Sequence, residues 1–137
     1  MSALDPARLA GVLKDYLREL ALGNVDAVLA LFAPQARIYS PLLGWVSPAP
    51  FYRQLAAASG NSRITLRDIG LSVQGAPRAM AYFRYDWVLK DGCEVSFDCV
   101  DVFDFDPDGL IGQMVIVYDT YPIRGDLGDR FQLAGEA

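Results

Sequence analysis

Apolar residues recur at three- and four-residue spacing through Leu9, Val12, Leu13, Tyr16, Leu17 and Leu20, which predicts an amphipathic helix with one buried face. Asp5-Pro6 supplies its start, a capping carboxylate followed by proline at the first helical position. Gly23 ends it, and Asn24 caps a short second helix carrying Val28, Leu29 and Phe32, closed by Pro34. Ala36 to Ser40 reads as a short strand stopped at Pro41. Ser47-Pro48 repeats the cap-plus-proline signal and opens a helix with Phe51, Tyr52 and Leu55, running to about Ser59. From Ile64 the period changes to two. Four longer strands are predicted over Ile64 to Val73, Ala79 to Leu89, Cys93 to Phe105 and Leu110 to Tyr121, with a phase slip near Asp68 that predicts a bulge. The connections Gly75-Ala76-Pro77, Asp91-Gly92 and Asp106-Pro107-Asp108-Gly109 carry turn chemistry. Helices followed by hairpin-linked strands predict an α+β fold, with N-terminal helices packed on a curved antiparallel sheet around a pocket. No linker or repeat divides the sequence, so residues 1–137 read as a single domain with a looser tail from Pro122.

Strand alternation sets which side chains share a face. Phe97, Cys99, Asp101, Phe103 and Phe105 lie on one side of their strand, and that side should be the inner one. An isolated carboxylate among aromatics is costly, so Asp101 must be hydrogen-bonded, paired or neutral. A two-residue Asp91-Gly92 loop would pair Lys90 with Cys93 and set Asp101 opposite Tyr82, so that Met80, Tyr82, Arg84, Asp86 and Val88 join the inner face. A four-residue loop after Phe105 would set Asp101 opposite Met114 and bring Gly112, Met114, Ile116, Tyr118 and Thr120 to it. A one-residue error in either turn would invert a strand. The same register leaves Phe83, Tyr85, Trp87, Val100, Val102, Val115 and Val117 outside, too apolar for water, which predicts a homodimer through the outer sheet face.

Composition narrows the chemistry. The hydrophobic fraction is 53% and the mean hydropathy +0.19, more apolar than usual for a globular chain and consistent with a pocket for a small apolar molecule. A net charge of −5 with scattered Lys and Arg argues against nucleic acid. No apolar run approaches a membrane span, and no basic segment leads into an apolar stretch at the N-terminus, so a cytoplasmic location is expected. Histidine is absent, which removes Ser-His and Cys-His catalysis and makes a metal site unexpected. No cofactor is implied. Cys93 and Cys99 lie too far apart on one strand to bridge and read as reduced packing residues, with a reactive thiol the alternative.

Several segments carry a resemblance. They are Val12-Leu13-Lys14-Asp15-Tyr16-Leu17, the stretch from Gly23 to Ala33, Ala36-Arg37-Ile38-Tyr39-Ser40-Pro41, and Val100-Asp101-Val102-Phe103-Asp104-Phe105. In these the sequence resembles the nuclear transport factor 2-like superfamily, in its ketosteroid isomerase and SnoaL-type cyclase branches. The resemblance implies a cone-shaped fold. It also implies that Tyr16 and Asp101 stand where the isomerases place an oxyanion-hole tyrosine and a protonated aspartate, a pairing known for those enzymes. Their base position falls on Ser40, before Pro41, and a serine without an activator is no base.

Asp86 is the substitute that the register offers, while Arg84 on the same face could pair with Asp86 or Asp101 and hold either ionised. Ser40, Phe51, Tyr82, Arg84, Phe97, Phe103, Met114, Ile116 and Tyr118 are the expected ligand-contacting or core residues. Three readings stay open. One is an isomerase- or cyclase-like enzyme polarising a carbonyl of a polycyclic or terpenoid-like substrate. The second is a non-catalytic binder of an apolar ligand, and the third a structural dimer with a filled interior.

Overall fold

A computed structural model describes residues 4–121. The sequence signals for the first helix translate directly into structure. In α1 (Pro6–Leu22) the Asp5 carboxylate accepts a hydrogen bond from the Ala7 N–H at 2.9 Å, and Gly23 closes the helix with φ 71°. Leu9, Leu13, Tyr16 and Leu17 are buried on one face. The second helix, α2 (Val25–Leu29), is a single short turn. Phe32, expected at its end, instead begins strand β1 (Phe32–Ser40), four residues earlier than predicted. Pro34 therefore lies inside a strand. The register of β1 against its neighbour shifts between Phe32 and Arg37, and this irregular stretch accommodates a residue with no N–H to donate. A short strand β2 (Gly44–Val46) folds back on β1 and was not anticipated. The third helix, α3 (Pro48–Ala58), matches its cap-plus-proline signal.

The period-two region forms β3 (Arg63–Leu71), β4 (Arg78–Val88), β5 (Glu94–Phe105) and β6 (Ile111–Val117), the last ending four residues short of its predicted limit. The bulge expected near Asp68 is present, between Leu66 and Asp68. The six strands form one curved, unclosed sheet in the order β2-β1-β6-β5-β4-β3, with β1 and β6 parallel and all other neighbours antiparallel. Helices against one face of such a sheet bury an α+β core: Leu13, Tyr16, Ile38, Phe83, Phe103, Ile111 and Met114 are almost wholly removed from water. None of the described helices is long and apolar enough to cross a membrane. The tail from Pro122 lies outside the described residues.

Loop length decides what faces inward. Between β4 and β5 the Leu89 N–H donates to Cys93 O at 2.8 Å and the Gly92 N–H to Leu89 O at 2.9 Å, with Gly92 at φ 86°. The loop thus holds three residues, Lys90, Asp91 and Gly92, rather than two, and a type I turn with a left-handed glycine is the usual solution at this length. Asp101 pairs with Ala81 instead of Tyr82. That single residue inverts β4. Ala79, Ala81, Phe83, Tyr85 and Trp87 are buried inside, and Met80, Tyr82, Arg84, Asp86 and Val88 take the outer face. The β5–β6 register also differs from expectation, with Asp101 opposite Ile116 rather than Met114. A shift of two residues preserves the face, so Met114, Ile116 and Tyr118 stay on the Asp101 side.

Candidate active site

Between the helices and the inner sheet face lies a chamber of about 50 Å3. Helix periodicity brings Tyr16 and Leu20 from α1 and Phe51 and Leu55 from α3 to one wall. Strand alternation brings Phe83, Tyr85 and Trp87 from β4, Phe97, Cys99 and Asp101 from β5, and Ile116 and Tyr118 from the β6 side to the other. Ser40 and Leu42 complete it. Among the described residues no lysine or arginine lines this space.

Asp101 is 2% exposed, and its Oδ1 accepts from the Cys99 thiol at 3.1 Å. Burial without a cation pushes its carboxyl up to about 7, and the thiol donor only partly opposes this. The same burial, with the Asp101 charge beside it, pushes the Cys99 thiol far above its ordinary range, so it is a hydrogen-bond donor and not a nucleophile. Tyr16 hydrogen-bonds through its hydroxyl to Tyr52 at 2.5 Å, and the Tyr52 hydroxyl also reaches Met114 Sδ at 3.8 Å. Burial raises both phenols well above their usual range, so both stay protonated. The Phe103 ring packs edge-on against Tyr16, 5.1 Å between centroids, and Phe97 stacks on Tyr118 at 4.4 Å.

The expected residues divide into three groups. Tyr16, Ser40, Phe51, Phe97, Asp101, Ile116 and Tyr118 meet in the chamber. Phe103 and Met114 stand behind it, fully buried, the first supporting Tyr16 and the second Tyr52. Asp86, Arg84 and Tyr82 are elsewhere, because the three-residue loop turned β4 over. Asp86 bonds Arg84 at 3.0 Å and Ser96 at 2.7 Å on the outer face, and the Ser96 hydroxyl, then Arg84, hold its carboxyl below the ordinary range. Tyr82 is 43% exposed, with the Arg67 guanidinium 5.7 Å above its ring. Ser40 Oγ accepts from the Leu42 N–H at 3.2 Å, a turn contact. Neither Cys99, a packing residue or alternatively a reactive thiol in the sequence reading, nor Tyr52, part of the third helix's apolar pattern, is among the expected site residues. Cys99 shares the strand face of Asp101 two positions away, which was a usable signal. Nothing in the local sequence of Tyr52 announces that it meets Tyr16. Among the described residues no group of three side chains is arranged to hold a metal.

Three helices on a curved, unclosed six-stranded sheet are the fold of nuclear transport factor 2-like proteins. The chain belongs to the SnoaL-like domain family, whose pattern matches residues 13–114. Its fold is shared with SalBIII, an epoxide hydrolase/cyclase-like enzyme of pyran ring formation in the polyether salinomycin. That likeness has TM-score 0.74 and 19% identity, over 87% of this chain and 96% of the other. AclR of Streptomyces galilaeus, provisionally described as a hydroxylase, gives TM-score 0.73 and 16% identity over 90% and 82%. An NTF2-like protein of unknown function from Exiguobacterium sp. 255-15 gives 0.69 and 16% over 79% and 98%. At these identities the likeness establishes fold alone. No curated protein matches the sequence.

Proposed function

We propose that the chamber binds a small, largely apolar molecule and activates one of its oxygens, in an isomerase- or cyclase-like reaction. The observation that carries this reading is a buried carboxyl facing an apolar cavity with no cation beside it among the described residues, and a protonated phenol on the same cavity. Tyr16 is the hydrogen-bond donor to a carbonyl oxygen. A phenol oxygen accepts far better than a thioether, so Tyr52 donates to Tyr16 in preference to Met114 and leaves the Tyr16 proton free for the ligand. With Asp86 outside, Asp101 is the group that moves the proton. A carboxyl near 7 is populated in both forms at neutral pH, which suits it to take a proton from the carbon beside the carbonyl and return it elsewhere. The neutral form would equally protonate an epoxide oxygen during ring formation, and the structurally similar SalBIII is an epoxide hydrolase/cyclase-like enzyme with a role in forming a pyran ring.

The test is substrate-independent enolisation. Cyclohexanone, 2-decanone and a Δ5-3-ketosteroid are incubated with the protein in D2O, and hydrogen–deuterium exchange beside the carbonyl is followed by NMR. Exchange should be accelerated, and Tyr16→Phe and Asp101→Asn should each lower it by about 10²-fold or more, while Asp86→Ala leaves it unchanged. Absence of acceleration with every ketone would overturn catalysis at a carbonyl. The second reading, a non-catalytic binder of an apolar molecule, is favoured by Ser40 at the family's base position, engaged only in a turn. It predicts a rise in Tm with these ketones and no exchange.

We also propose that the protein is a homodimer through its outer sheet face. Val100, Val102, Val115 and Val117 lie there, as read from sequence, but Phe83, Tyr85 and Trp87 do not. Their place is taken by Met80 and Tyr82, with Tyr39 and Trp45 extending the strip across the parallel strand pair.

A further inference from the structure

The Asp101 chamber is too small for the ligand its chemistry suits. About 50 Å3 holds a few water molecules, whereas sites for drug-sized molecules span roughly 300 Å3 or more. Beside it lies a second cavity of about 160 Å3, and Leu20, Leu55 and Tyr85 line both. This outer cleft lies between the end of α1, α2, α3 and the segment from Ser59 to Ser62.

Its polar groups differ from those of the chamber. Ser59 Oγ accepts from the Trp87 indole at 2.7 Å and donates to Leu55 O at 2.5 Å. Ser62 bonds the Tyr85 hydroxyl and accepts from the Val88 N–H at 3.2 Å. Two rings of the chamber wall, Trp87 and Tyr85, are thus anchored from the cleft side. Asn61 is exposed at the same rim. Glu19 is the one charged residue lining the cleft among the described residues, so an anionic group would meet a carboxylate there and no counter-charge.

We infer that chamber and cleft are two halves of one elongated binding site, for a neutral molecule whose oxygen to be activated sits at Asp101 and whose hydroxylated end sits against residues 59–62. The Leu20–Leu55–Tyr85 wall parts around the middle of the ligand. The hydroxyl end exchanges water for the serine hydroxyls and the Asn61 amide, and carboxylate- or phosphate-ended analogues are rejected. The inference rests on the proposed function for the inner end only. The outer end stands on the cleft's own lining.

Three probes separate the two. They are 2-decanone, 10-hydroxy-2-decanone and 9-oxodecanoate, titrated into the full chain with NMR observation of the Asp101 carboxyl and the Gly60, Asn61 and Ser62 amides. The hydroxyketone should move both sets of signals and bind about five- to tenfold tighter than 2-decanone, the gain of one or two neutral hydrogen bonds. The oxo-acid should bind more weakly than either. Ala56→Trp, which fills the cleft, and Asn61→Ala should each abolish the hydroxyl advantage while leaving cyclohexanone affinity unchanged. If the hydroxyketone moves only the Asp101 signals and matches 2-decanone, the two-part site is overturned and the proposed function stands. If it moves only the cleft signals, the continuity of the site fails. If no probe binds, both readings fall.

Discussion

A carboxyl buried among aromatic rings has two ways to survive, a counter-ion or a proton. Arg84 was the counter-ion that the sequence offered Asp101, and it lies on the far side of the sheet, paired with Asp86. Asp101 therefore holds its proton up to about pH 7, opposed only by the one weak hydrogen bond that the Cys99 thiol gives it. The consequence for stability has a definite sign. The unfolded chain releases this proton near pH 4 and the folded one near 7, so the folded state binds the extra proton between those values. Stability falls as pH rises through that window. Asp101→Asn should be close to neutral at pH 4 and stabilising by about 2–4 kcal/mol at pH 8, measured by urea unfolding at both pH values. A pH-independent difference would mean that the carboxyl titrates normally. Cys99→Ala removes the donor and should raise the Asp101 midpoint in a 13C titration. The inward placement of Tyr16 and Asp101 was legible because each depends only on the phase of its own helix or strand, and the family resemblance singled them out as candidate site residues. Asp86 depended on a neighbour's register and was lost with it.

Elements in this fold were easier to read than the joins between them. The caps at Asp5, Gly23 and Ser47-Pro48 and the slip at Asp68 are local events, encoded within a few residues. The Lys90-Asp91-Gly92 loop is equally local, yet its dipeptide suits two loop lengths, and the choice between them turns over an entire strand. The buried alanines Ala79 and Ala81 record the outcome, since larger residues opposite Phe103 and Asp101 would fill the inner face. Gly92 holds the loop at φ 86° with open space around it. Gly92→Ala should therefore cost about 1–2 kcal/mol through backbone conformation alone. Gly70→Ala, also in open space but without positive φ, is the control and should be near neutral. Equal costs in thermal unfolding would show that the loop does not depend on the left-handed glycine.

At the scale of the molecule, the sheet has one face committed to helices and chamber and another left apolar in the middle. Tyr39, Trp45, Tyr82 and Val117 are each more than a third exposed on it, and the ion pairs Arg67–Asp98, Arg78–Asp104 and Arg84–Asp86 stand across the β3–β5 side. Exposed pairs of this kind add little stability, but charged side chains flanking an apolar strip are the usual anatomy of an interface. The proposed dimer predicts a mass of twice 15.0 kDa in light scattering, and Val115→Asp, on that strip beside Tyr39, should shift the population to monomer. A monomeric parent at micromolar concentration would remove the proposal. The chamber faces away from this surface, so dissociation should leave ligand binding intact.

The sequence alone determined the order of the helices and of every strand but β2, the caps, the bulge in β3, and the inward facing of Tyr16 and of Asp101. Those follow from periodicity and turn chemistry, which act over a few residues. Only the tertiary structure decided the rest: the parallel join of β1 to β6, the three-residue loop that buried Phe83, Tyr85 and Trp87, and the absence of a cation beside Asp101 among the described residues. The reason is physical. Register and strand order are settled by which faces pack together across the whole core, and alternatives one residue apart are locally almost equal in energy while globally exchanging inside for outside.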